Sequence, residues 1–404
     1  MIYWAPFLHF YQPPTQFHAI LKKVSNESYR PLVKVLLEHP QAKVTINICA
    51  VLTEMLNDHG QADIVANIKK LAQNNQIEFV DSAKYHAILP LLPVKEMRRQ
   101  IELNHKTNAY FFQETYKPEG FFPPEMCYSD ELATLLSTMA YRWVLVSGIA
   151  APAKWPQEVI SKVALGLNGI CVFYRDDILS NKISFRNIDS AGFISELLNL
   201  EKGSKDKYVI TAMDAETFGH HIQNWEELFL AKVLESKQIN QIKLVTISEL
   251  LKKFPVKDAP APMPSSWSST KEDIQKKNYY PLWKDKNNPV HPLQWEHLNI
   301  CFELLEEALK SEAKEESRRF TKIARELLDQ AVHSCQFWWA NQTRGMWDIN
   351  MINQGLVLQE EVMLNAYKAI TLSDLPEALK KKSYRQVAAA RDAANKIRDR
   401  LLTM

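Results

Sequence analysis

Two apolar, strand-like runs of this chain each end in a carboxylate. Glu125 follows the first run in GFFPPEM, and Asp214 ends the second in YVITAMDAETFGHH. The parallel strands of a barrel or an open α/β sheet gather their carboxyl ends around one cleft, so acids far apart in sequence can face one another there. Two facing carboxyl groups can divide the roles of acid and nucleophile, and this pair therefore constrains both the fold and the chemistry of the chain.

Short β-rich apolar runs alternate with longer amphipathic stretches over the first part of the chain, which predicts parallel strands joined by crossover helices. The strands are predicted at 1–9, 43–48, 77–81, 119–122, 141–147, 170–174, 207–213 and 242–246. Seven or eight such units predict a catalytic (β/α) barrel domain over residues 1–254.

The composition changes after residue 254. Residues 255–294 contain many prolines, which exclude long helices, and Trp267, Trp283 and Trp295, which are atypical of a solvated linker. We expect these tryptophans to pack this connecting loop on the barrel. Residues 295–404 show apolar i, i+3, i+4 spacing, which predicts a C-terminal domain built as an α-helical bundle.

Charge and cysteine usage exclude several classes of partner. The 49 basic and 47 acidic residues are interspersed and give a net charge of +2, so no basic stripe is available to neutralise nucleic-acid phosphates. The N-terminal segment lacks the features of a signal peptide, and no apolar run reaches the length of a membrane span. We expect a cytoplasmic protein that binds neither nucleic acid nor membrane, with reduced thiols at Cys49, Cys127, Cys171, Cys301 and Cys335.

Two early segments place polar residues near strand ends. In HFYQPP, residues 9–14, the prolines end the strand and stiffen its exit, so His9 and Gln12 would lie at the rim of a cleft. The alternative is a core histidine satisfied by a backbone carbonyl. In QIEFVDSAKYHAILPLLP, Glu78 lies inside an apolar strand and His86 on the following loop. A buried charge needs a partner or a cavity, so Glu78 is either a substrate-binding acid or a paired structural one.

Glu125 directly follows two prolines and two aromatic residues. A proline-fixed backbone would hold the carboxylate in one orientation, and aromatic walls would limit its solvation, which suits a nucleophile. The alternative role for Glu125 is the N-cap of the next helix, but Ser129 fits that position better.

The segment MDAETFGHH crowds titratable groups behind an apolar strand. Asp214 and Glu216 share a side-chain direction in an extended backbone, and Gly219 allows a tight turn before His220 and His221. Such crowding costs stability, which favours a functional site over a structural cluster. A like-charged neighbour raises the pKa of an acid, which would keep Asp214 protonated and able to donate to a leaving oxygen.

Zinc is the rival use for these residues, since His9, an acid and His220 or His221 could converge as ligands. The chain has no HExxH and no H-x3-H pair, and the double aspartate of related barrel deacetylases is absent from the early strands because Asp176 and Asp177 lie too late. We therefore expect no metal ligands and no cofactor.

Taken in order, these segments resemble the family 57 glycoside hydrolases, which include α-glucan-active amylases, glucanotransferases, branching enzymes, amylopullulanases and some α-galactosidases. HFYQPP is similar to the first region of that family, QIEFVDSAKYHAILPLL to the second, GFFPPEM to the third and MDAETFGHH to the fourth. The stretch FYRDDILSNKISF, residues 173–185, and the segment HSCQFWWANQ also resemble parts of that family.

The resemblance implies an incomplete (β/α)7 TIM-like barrel followed by a helical domain. It implies that Glu125 is the nucleophile and Asp214 the general acid/base of a retaining mechanism. Aromatic side chains that can stack on sugar faces, among them Trp4 and Trp347, add to the carbohydrate interpretation. The residues expected to bind substrate are His9, Tyr11, Gln12, Glu78, His86, Glu216, His220, His221, Trp267, Trp338 and Trp339.

Two departures bear on the substrate. Tyr11 replaces the second histidine of the family's HxHQP, and HSCQFWWANQ lacks the acid often found near Phe337 and Trp338. The leading hypothesis is a retaining glycosidase or transglycosylase acting on an α-linked, glucose-based carbohydrate. The alternatives are a catalytically inactive carbohydrate-binding homologue and a metal-dependent deacetylase or mannosidase-type enzyme. Linkage, chain length, acceptor and oligomeric state stay open.

Overall fold

A computed structural model describes residues 1–152, 160–200, 205–310 and 314–403. These residues fold into two compact units, one of Met1–Gln12 with Gln16–Tyr279 and one of Pro13–Thr15 with Tyr280–Met404. The division at Tyr279 falls inside the predicted connecting loop, 255–294. No helix among the described residues combines the length and the apolar composition that crossing a membrane requires.

The first unit combines α-helices with two sheets. Its strands are β1 (Ile2–Phe10), β2 (Val44–Ile48), β3 (Ile77–Val80), β4 (Gly120–Phe121), β5 (Trp143–Val146), β6 (Val163–Leu165), β7 (Cys171–Tyr174), β8 (Lys207–Asp214), β9 (Ile242–Leu244) and β10 (Val256–Asp258). Its helices are α1 (His18–Val24), α2 (Arg30–Glu38), α3 (Ala50–Asp58), α4 (Ala62–Gln73), α5 (Val94–Phe112), α6 (Asp130–Thr138), α7 (Asp177–Ser184), α8 (Ser190–Leu200), α9 (Lys232–Glu235), α10 (Ile247–Leu251) and α11 (Lys271–Gln275).

The two sheets are almost wholly parallel. The first has the order β3-β2-β1-β8, with β9 also paired to β1, and the second has the order β10-β6-β7-β5-β4. Among the described strands of these sheets, only the β6–β7 pair is antiparallel. All eight predicted strands are confirmed, because long apolar β-rich runs are the strongest sequence signal for buried parallel strands.

Two backbone contacts connect the sheets. Asp81, directly after β3, forms a parallel bridge with Phe121 on β4. The amide of Asp176, just after β7, donates to the carbonyl of Ile210 on β8 at 2.7 Å. The edge of β3 therefore meets the edge of β4, and β7 lies beside β8.

The strand β1 is buried on both faces because helices cover one face and the second sheet covers the other. Trp4 and Leu8 belong to an outer core shared with the helices. Ala5 and Phe7 belong to an inner core shared with the second sheet. The period-2 alternation of the strand thus assigns odd-numbered residues of β1, including His9, to the inner side.

The second unit is mainly helical, as predicted for the C-terminal region. Its elements are α12 (His291–Leu309), α13 (Glu315–Ala331), α14 (Cys335–Trp338), β11 (Ala340–Asn341), β12 (Met346–Trp347), α15 (Ile349–Leu372) and α16 (Glu377–Thr403). In this unit Trp295 donates its indole N–H to the carbonyl of Trp283 at 2.8 Å and stacks on Phe337. The sequence did not predict the short β11–β12 hairpin.

Candidate active site

The carboxyl ends of β1, β2 and β8 bring three polar side chains to one layer. His9 is in register with Asn47 on β2 and with Asp214 on β8. Residues in register on neighbouring parallel strands point to the same face of the sheet. Phe7 and Ala212 precede His9 and Asp214 by one strand period and lie in the inner core. His9, Asn47 and Asp214 therefore face the interior at the ends of their strands.

Glu125 lies in a turn directly after β4, as the sequence predicts. Its backbone has φ 58° and ψ 19°, and Met126 follows with φ 51°, both in the left-handed region that costs a non-glycine residue about 1–2 kcal/mol. The amide of Met126 donates to the carbonyl of Pro123 at 2.8 Å, and the amide of Trp267 donates to the carbonyl of Glu125 at 3.1 Å. Strain held by such contacts is typical of functional turns. Ser129 caps α6 as predicted.

The carboxylate of Glu125 has one hydrogen bond and one neighbouring histidine. The indole N–H of Trp267 donates to Oε2 at 2.7 Å. His86 Nδ1 lies 3.9 Å from Oε1. The Glu125 side chain is 18% exposed, so it stays within reach of a bound molecule. Trp267, which the sequence predicts to pack on the barrel, lies against His9 and Phe122 with ring centroids 6.3 and 6.0 Å apart.

A hydrogen-bonded series runs from Asn47 through His9 to His86, whose Nδ1 lies 3.9 Å from Glu125. Asn47 Oδ1 lies 2.7 Å from His9 Nδ1, and His9 Nε2 lies 3.0 Å from His86 Nε2. An amide oxygen only accepts, so His9 carries its proton on Nδ1. Burial lowers the pKa of His9 to about 4, which keeps the ring neutral and its Nε2 an acceptor. His86 then donates from Nε2, and its Nδ1 faces Glu125.

Three carboxyl groups interact in this site. Burial raises the pKa of Glu125 to about 8, and the nearby charge of Asp214 adds to that rise. Burial also raises the pKa of Glu216 to about 8, again with a contribution from Asp214. For Asp214 burial raises the pKa to about 6, against the opposing effect of the Arg175 guanidinium. The acids therefore titrate together and retain protons near neutral pH.

Glu216 anchors the other side of the site. It accepts hydrogen bonds from the hydroxyl of Tyr29 and, at 3.0 Å, from Nε2 of Gln12. Gln16 in turn donates to Gln12 Oε1 at 2.8 Å. Next to this group, the ring of Tyr11 stacks on His86 with centroids 3.9 Å apart. The structure thus brings Tyr11, Gln12, His86 and Glu216 together, as the sequence analysis expects.

Glu78 lies one layer below His9. It is in register with Thr45, which is in register with Phe7 rather than with His9. Glu78 Oε1 accepts from the Thr45 hydroxyl at 2.8 Å and from the amide of Ser248, at the start of α10, at 3.0 Å. These contacts are those of a paired structural acid, and the role of Glu78 in substrate binding stays a prediction.

Contacts with sugar were also expected of His220, His221, Trp4, Trp338 and Trp339. His220 Nδ1 lies 2.7 Å from Glu27 Oε2, and its ring is 5.6 Å from that of His221. Trp4 is 2% exposed in the outer core, so the expectation that it stacks on a sugar is wrong. Trp338 and Trp339 belong to the second unit, where their rings meet edge to face at 4.7 Å. Their role in sugar binding stays a prediction, as do those of His220, His221 and Trp347.

Sequence reasoning missed Arg175 and Tyr29. Arg175 directly follows the apolar strand β7, donates from Nε to the carbonyl of Ala212 at 2.8 Å and lies over the Trp267 ring at 5.7 Å. A charge at a strand end is the same signal that identified Asp214, so Arg175 could have been found. Tyr29 lies on a helical segment between α1 and α2, and nothing in its sequence context indicates its contact with Glu216.

The indole N–H of Trp267 can be removed without removing the ring. Trp267→Phe deletes the hydrogen bond to Glu125, and we expect kcat to fall about 10- to 100-fold, since a hydrogen bond to a charged group contributes about 1.5–3 kcal/mol. Trp225→Phe is the matched control, because the buried indole nitrogen of Trp225 has no hydrogen-bond partner among the described residues. Equal activity of the two variants would exclude the positioning role of Trp267.

Near pH 8 we expect Asp176→Asn to stabilise the folded chain and Asp177→Asn to destabilise it. Burial raises the pKa of Asp176 to about 6. The folded chain therefore binds more protons than the unfolded chain between about pH 4 and pH 6. The free energy of unfolding falls as the pH rises through that window. Asp176→Asn keeps an N-cap residue on α7 and should gain about 1–2 kcal/mol near pH 8 and nothing near pH 4.

Asp177→Asn is the control for that measurement. Asp177 accepts from the Ser147 hydroxyl and the Ile149 amide, both at 2.9 Å, and pairs with Arg175 at 2.9 Å. We expect this variant to lose stability near pH 8. Melting temperatures at both pH values test the pair, and a loss in both variants would contradict the assignment of Asp176.

A parallel α/β unit with two interacting, partly buried acids at its strand ends is the arrangement expected of a glycoside hydrolase that uses a pair of carboxyl groups. A profile described as Glycosyl hydrolase family 57 matches residues 6–263. The chain therefore belongs to glycosyl hydrolase family 57, and the resemblance found in its sequence is confirmed.

Similar proteins agree with this family. The chain is 26% identical over 263 residues to an alpha-amylase of Pyrococcus abyssi and 26% identical over 263 residues to a 4-alpha-glucanotransferase of Thermococcus litoralis, in each case over 61% of this chain. It spans 38% of the length of each of these relatives. A solved GH57-type branching enzyme of Pyrococcus horikoshii superposes with a TM-score of 0.75 at 16% identity, over 98% of this chain and 95% of that one. This last likeness concerns the fold.

Proposed function

We propose that this chain is a retaining glycoside hydrolase or transglycosylase that acts on α-linked, glucose-based oligo- or polysaccharides. The observation that carries the proposal is the connection of the two acids through one layer of side chains. Glu125 lies beside His86, His86 contacts His9, and His9 is in register with Asp214. The Asp214 charge contributes to the raised pKa of Glu125, as expected of two acids that share one cleft.

In the proposed reaction Glu125 attacks the anomeric carbon and forms a covalent glycosyl-enzyme. Asp214 donates a proton to the leaving oxygen and then takes one from water or from an acceptor sugar, so the anomeric configuration is retained. Burial raises the pKa of Glu125 to about 8 and that of Asp214 to about 6, so the free chain holds the shared proton on Glu125, and the proposed roles require that proton on Asp214 once a sugar is bound. Trp267 holds Oε2 of Glu125 in place, which leaves Oε1 for the attack.

The neighbouring groups suit a sugar ring. Tyr11 and Trp267 offer aromatic surfaces for the CH face of a pyranose, and Nδ1 of His86 faces the same space beside Glu125. Glu216 and Gln12 add further polar groups on the Tyr29 side. The relatives named alpha-amylase and 4-alpha-glucanotransferase support an α-glucan as the substrate class.

We also propose that the strands close into an incomplete (β/α)7 barrel. The succession β1, β2, β3, β4, β5, β7, β8 and back to β1 is supported by the pairings of each sheet and by the two contacts at Asp81 and Asp176. We propose in addition that the barrel domain ends at residue 254, that the connecting loop ends at residue 294 and that the protein is cytoplasmic.

Incubation with maltooligosaccharides tests the activity. We expect products shorter than the substrate, or both shorter and longer ones for a transferase, and NMR of the first products should show the α-anomer. Unchanged maltooligosaccharides that still bind would support the inactive carbohydrate-binding alternative. Release of the β-anomer would overturn the retaining mechanism.

A further inference from the structure

We propose that His9, Cys49 and His86 form a binding site for a thiophilic cation, with Zn²⁺ as the representative ion, at the inner side of the candidate active site. One ring nitrogen of each histidine and Sγ of Cys49 lie within 4.8 Å of one another, and all three residues are buried. Two imidazoles and a thiolate are ligands that Zn²⁺ prefers and that Mg²⁺ and Ca²⁺ do not. The sequence suggested a different set, His9 with acids and His220 or His221.

The spacing of the three groups suits a tetrahedral ion. With bonds of about 2.0–2.1 Å to nitrogen and 2.3 Å to sulfur, tetrahedral ligand atoms lie about 3.3–3.6 Å apart. His9 Nε2 and His86 Nε2 are 3.0 Å apart, and Sγ of Cys49 lies within 4.8 Å of a ring nitrogen of each histidine, so side-chain shifts of up to about 1 Å would bring the three groups to that spacing. Three protein ligands leave a fourth position for water or a bound molecule.

Asn47 already orients His9 as a metal ligand. Its Oδ1 accepts from His9 Nδ1 at 2.7 Å and thereby leaves Nε2 unprotonated toward His86. A ligating histidine almost always donates its other N–H to an oxygen in this way. His86 is fixed as well, by a left-handed backbone with φ 55° and by the Tyr11 ring stacked on it at 3.9 Å.

Cys49 is held close to the two histidines by the backbone at the start of α3. It is the N-cap residue of that helix, its side chain makes no capping hydrogen bond, and its Sγ lies 3.9 Å from Asn47 Oδ1, the atom that also contacts His9. Its amide donates to the carbonyl of Phe10 at 3.1 Å, which ties it to the end of β1 just beyond His9. On binding Zn²⁺ the thiol of Cys49 loses its proton to solvent, and His86 moves its own from Nε2 to Nδ1, which faces Glu125.

One consequence rests on the proposed function, whereas metal binding itself does not. Zn²⁺ held by His9 and His86 would place a positive charge and a bound ion in the space beside Glu125. The ion would therefore inhibit a glycosidase at this site, reversibly with EDTA.

Titration of the purified chain with Co²⁺, in the absence of any sugar, tests the site. We expect one equivalent to bind with visible bands of tetrahedral Co²⁺ and a near-ultraviolet thiolate-to-cobalt band, and Zn²⁺ to displace it. Cys49→Ser should abolish the thiolate band and weaken Zn²⁺ binding at least about 100-fold. Cys301→Ser is the matched control, since the Cys301 thiol is buried and contacts Gln359 in the second unit.

His86→Gln is the second variant, in case Cys49→Ser does not fold. This variant should bind Co²⁺ more weakly than the native chain does. Its thiolate-to-cobalt band should therefore appear only at higher Co²⁺ concentration. The proposal is overturned if the native chain binds no stoichiometric Co²⁺ or Zn²⁺, or if the thiolate band survives Cys49→Ser. Because no step uses a sugar, an inactive chain that binds the metal would reject the proposed function and leave this site intact.

Discussion

Glu125→Gln is expected to reduce kcat on maltooligosaccharides by about 10⁴-fold or more while the chain still binds the sugar. The amide keeps the shape of the side chain but removes the nucleophilic oxygen, so binding groups such as Tyr11 and Trp267 stay in place. Steady-state kinetics and isothermal titration with maltoheptaose measure the two effects separately. Glu131→Gln, an exposed acid on α6, is the matched control and should match the native chain.

Chemical rescue separates a nucleophile from a structural acid at position 125. Glu125→Ala leaves room beside the anomeric carbon, and added azide should restore turnover and form a glycosyl azide of inverted configuration. Asp214→Asn should instead lose most of its rate on sugars with poor leaving groups and much less on aryl glycosides with good ones. Full activity of Glu125→Gln in a verified preparation would remove the basis of the proposed mechanism.

The sequence predicts what depends on local pattern. The apolar runs at β1 and β8 are long and β-rich, so their strands are found within a residue or two of their ends. Asp214 ends β8, and Glu125 lies in the turn after β4, so their positions at strand ends follow as well. The three-residue strands β6 and β10 were missed, and no apolar run marks β10, which is exposed and contains Lys257 and Asp258.

Contacts between distant segments cannot be obtained from local pattern. Alternation along β3 assigns Glu78 to the inner face, but nothing in that strand indicates that the start of α10 lies beneath it and supplies the amide of Ser248. The hydrogen bond from Trp267 to Glu125 depends on how a loop returns over the sheet. The approach of Cys49 to His9 and His86 depends in the same way on the packing of β2 beside β1.

Asp81→Ala is expected to destabilise the first unit by about 3–5 kcal/mol, the range for breaking a buried, fully bonded charge network. The Asp81 side chain is fully buried. Oδ1 accepts from Asn104 at 2.7 Å and from Tyr116 at 3.2 Å, and Oδ2 accepts from His105 at 2.7 Å and from Tyr141 at 2.8 Å. Alanine would remove this acceptor from the buried donors of Asn104 and Tyr116, whereas the partly exposed His105 and Tyr141 can turn to water.

The backbone of Asp81 connects this loss of stability to the candidate active site. Its amide donates to the carbonyl of Gly120 at 3.0 Å, and its carbonyl accepts from the amide of Phe122 at 2.9 Å. These two bonds join β3 to β4, and Glu125 lies in the turn that follows β4. A loosened junction should therefore also lower the activity of the chain that remains folded, through misplacement of Glu125.

A graded series distinguishes the network from a nonspecific cavity effect. Asp81→Asn keeps one acceptor oxygen and should lose about half as much stability as Asp81→Ala, whereas Tyr116→Phe removes a single donor and should lose about 1 kcal/mol. Urea unfolding followed by tryptophan fluorescence measures the order of midpoints. If Asp81→Ala unfolds at the same urea concentration as Tyr116→Phe, the buried carboxylate does not hold the β3–β4 junction together.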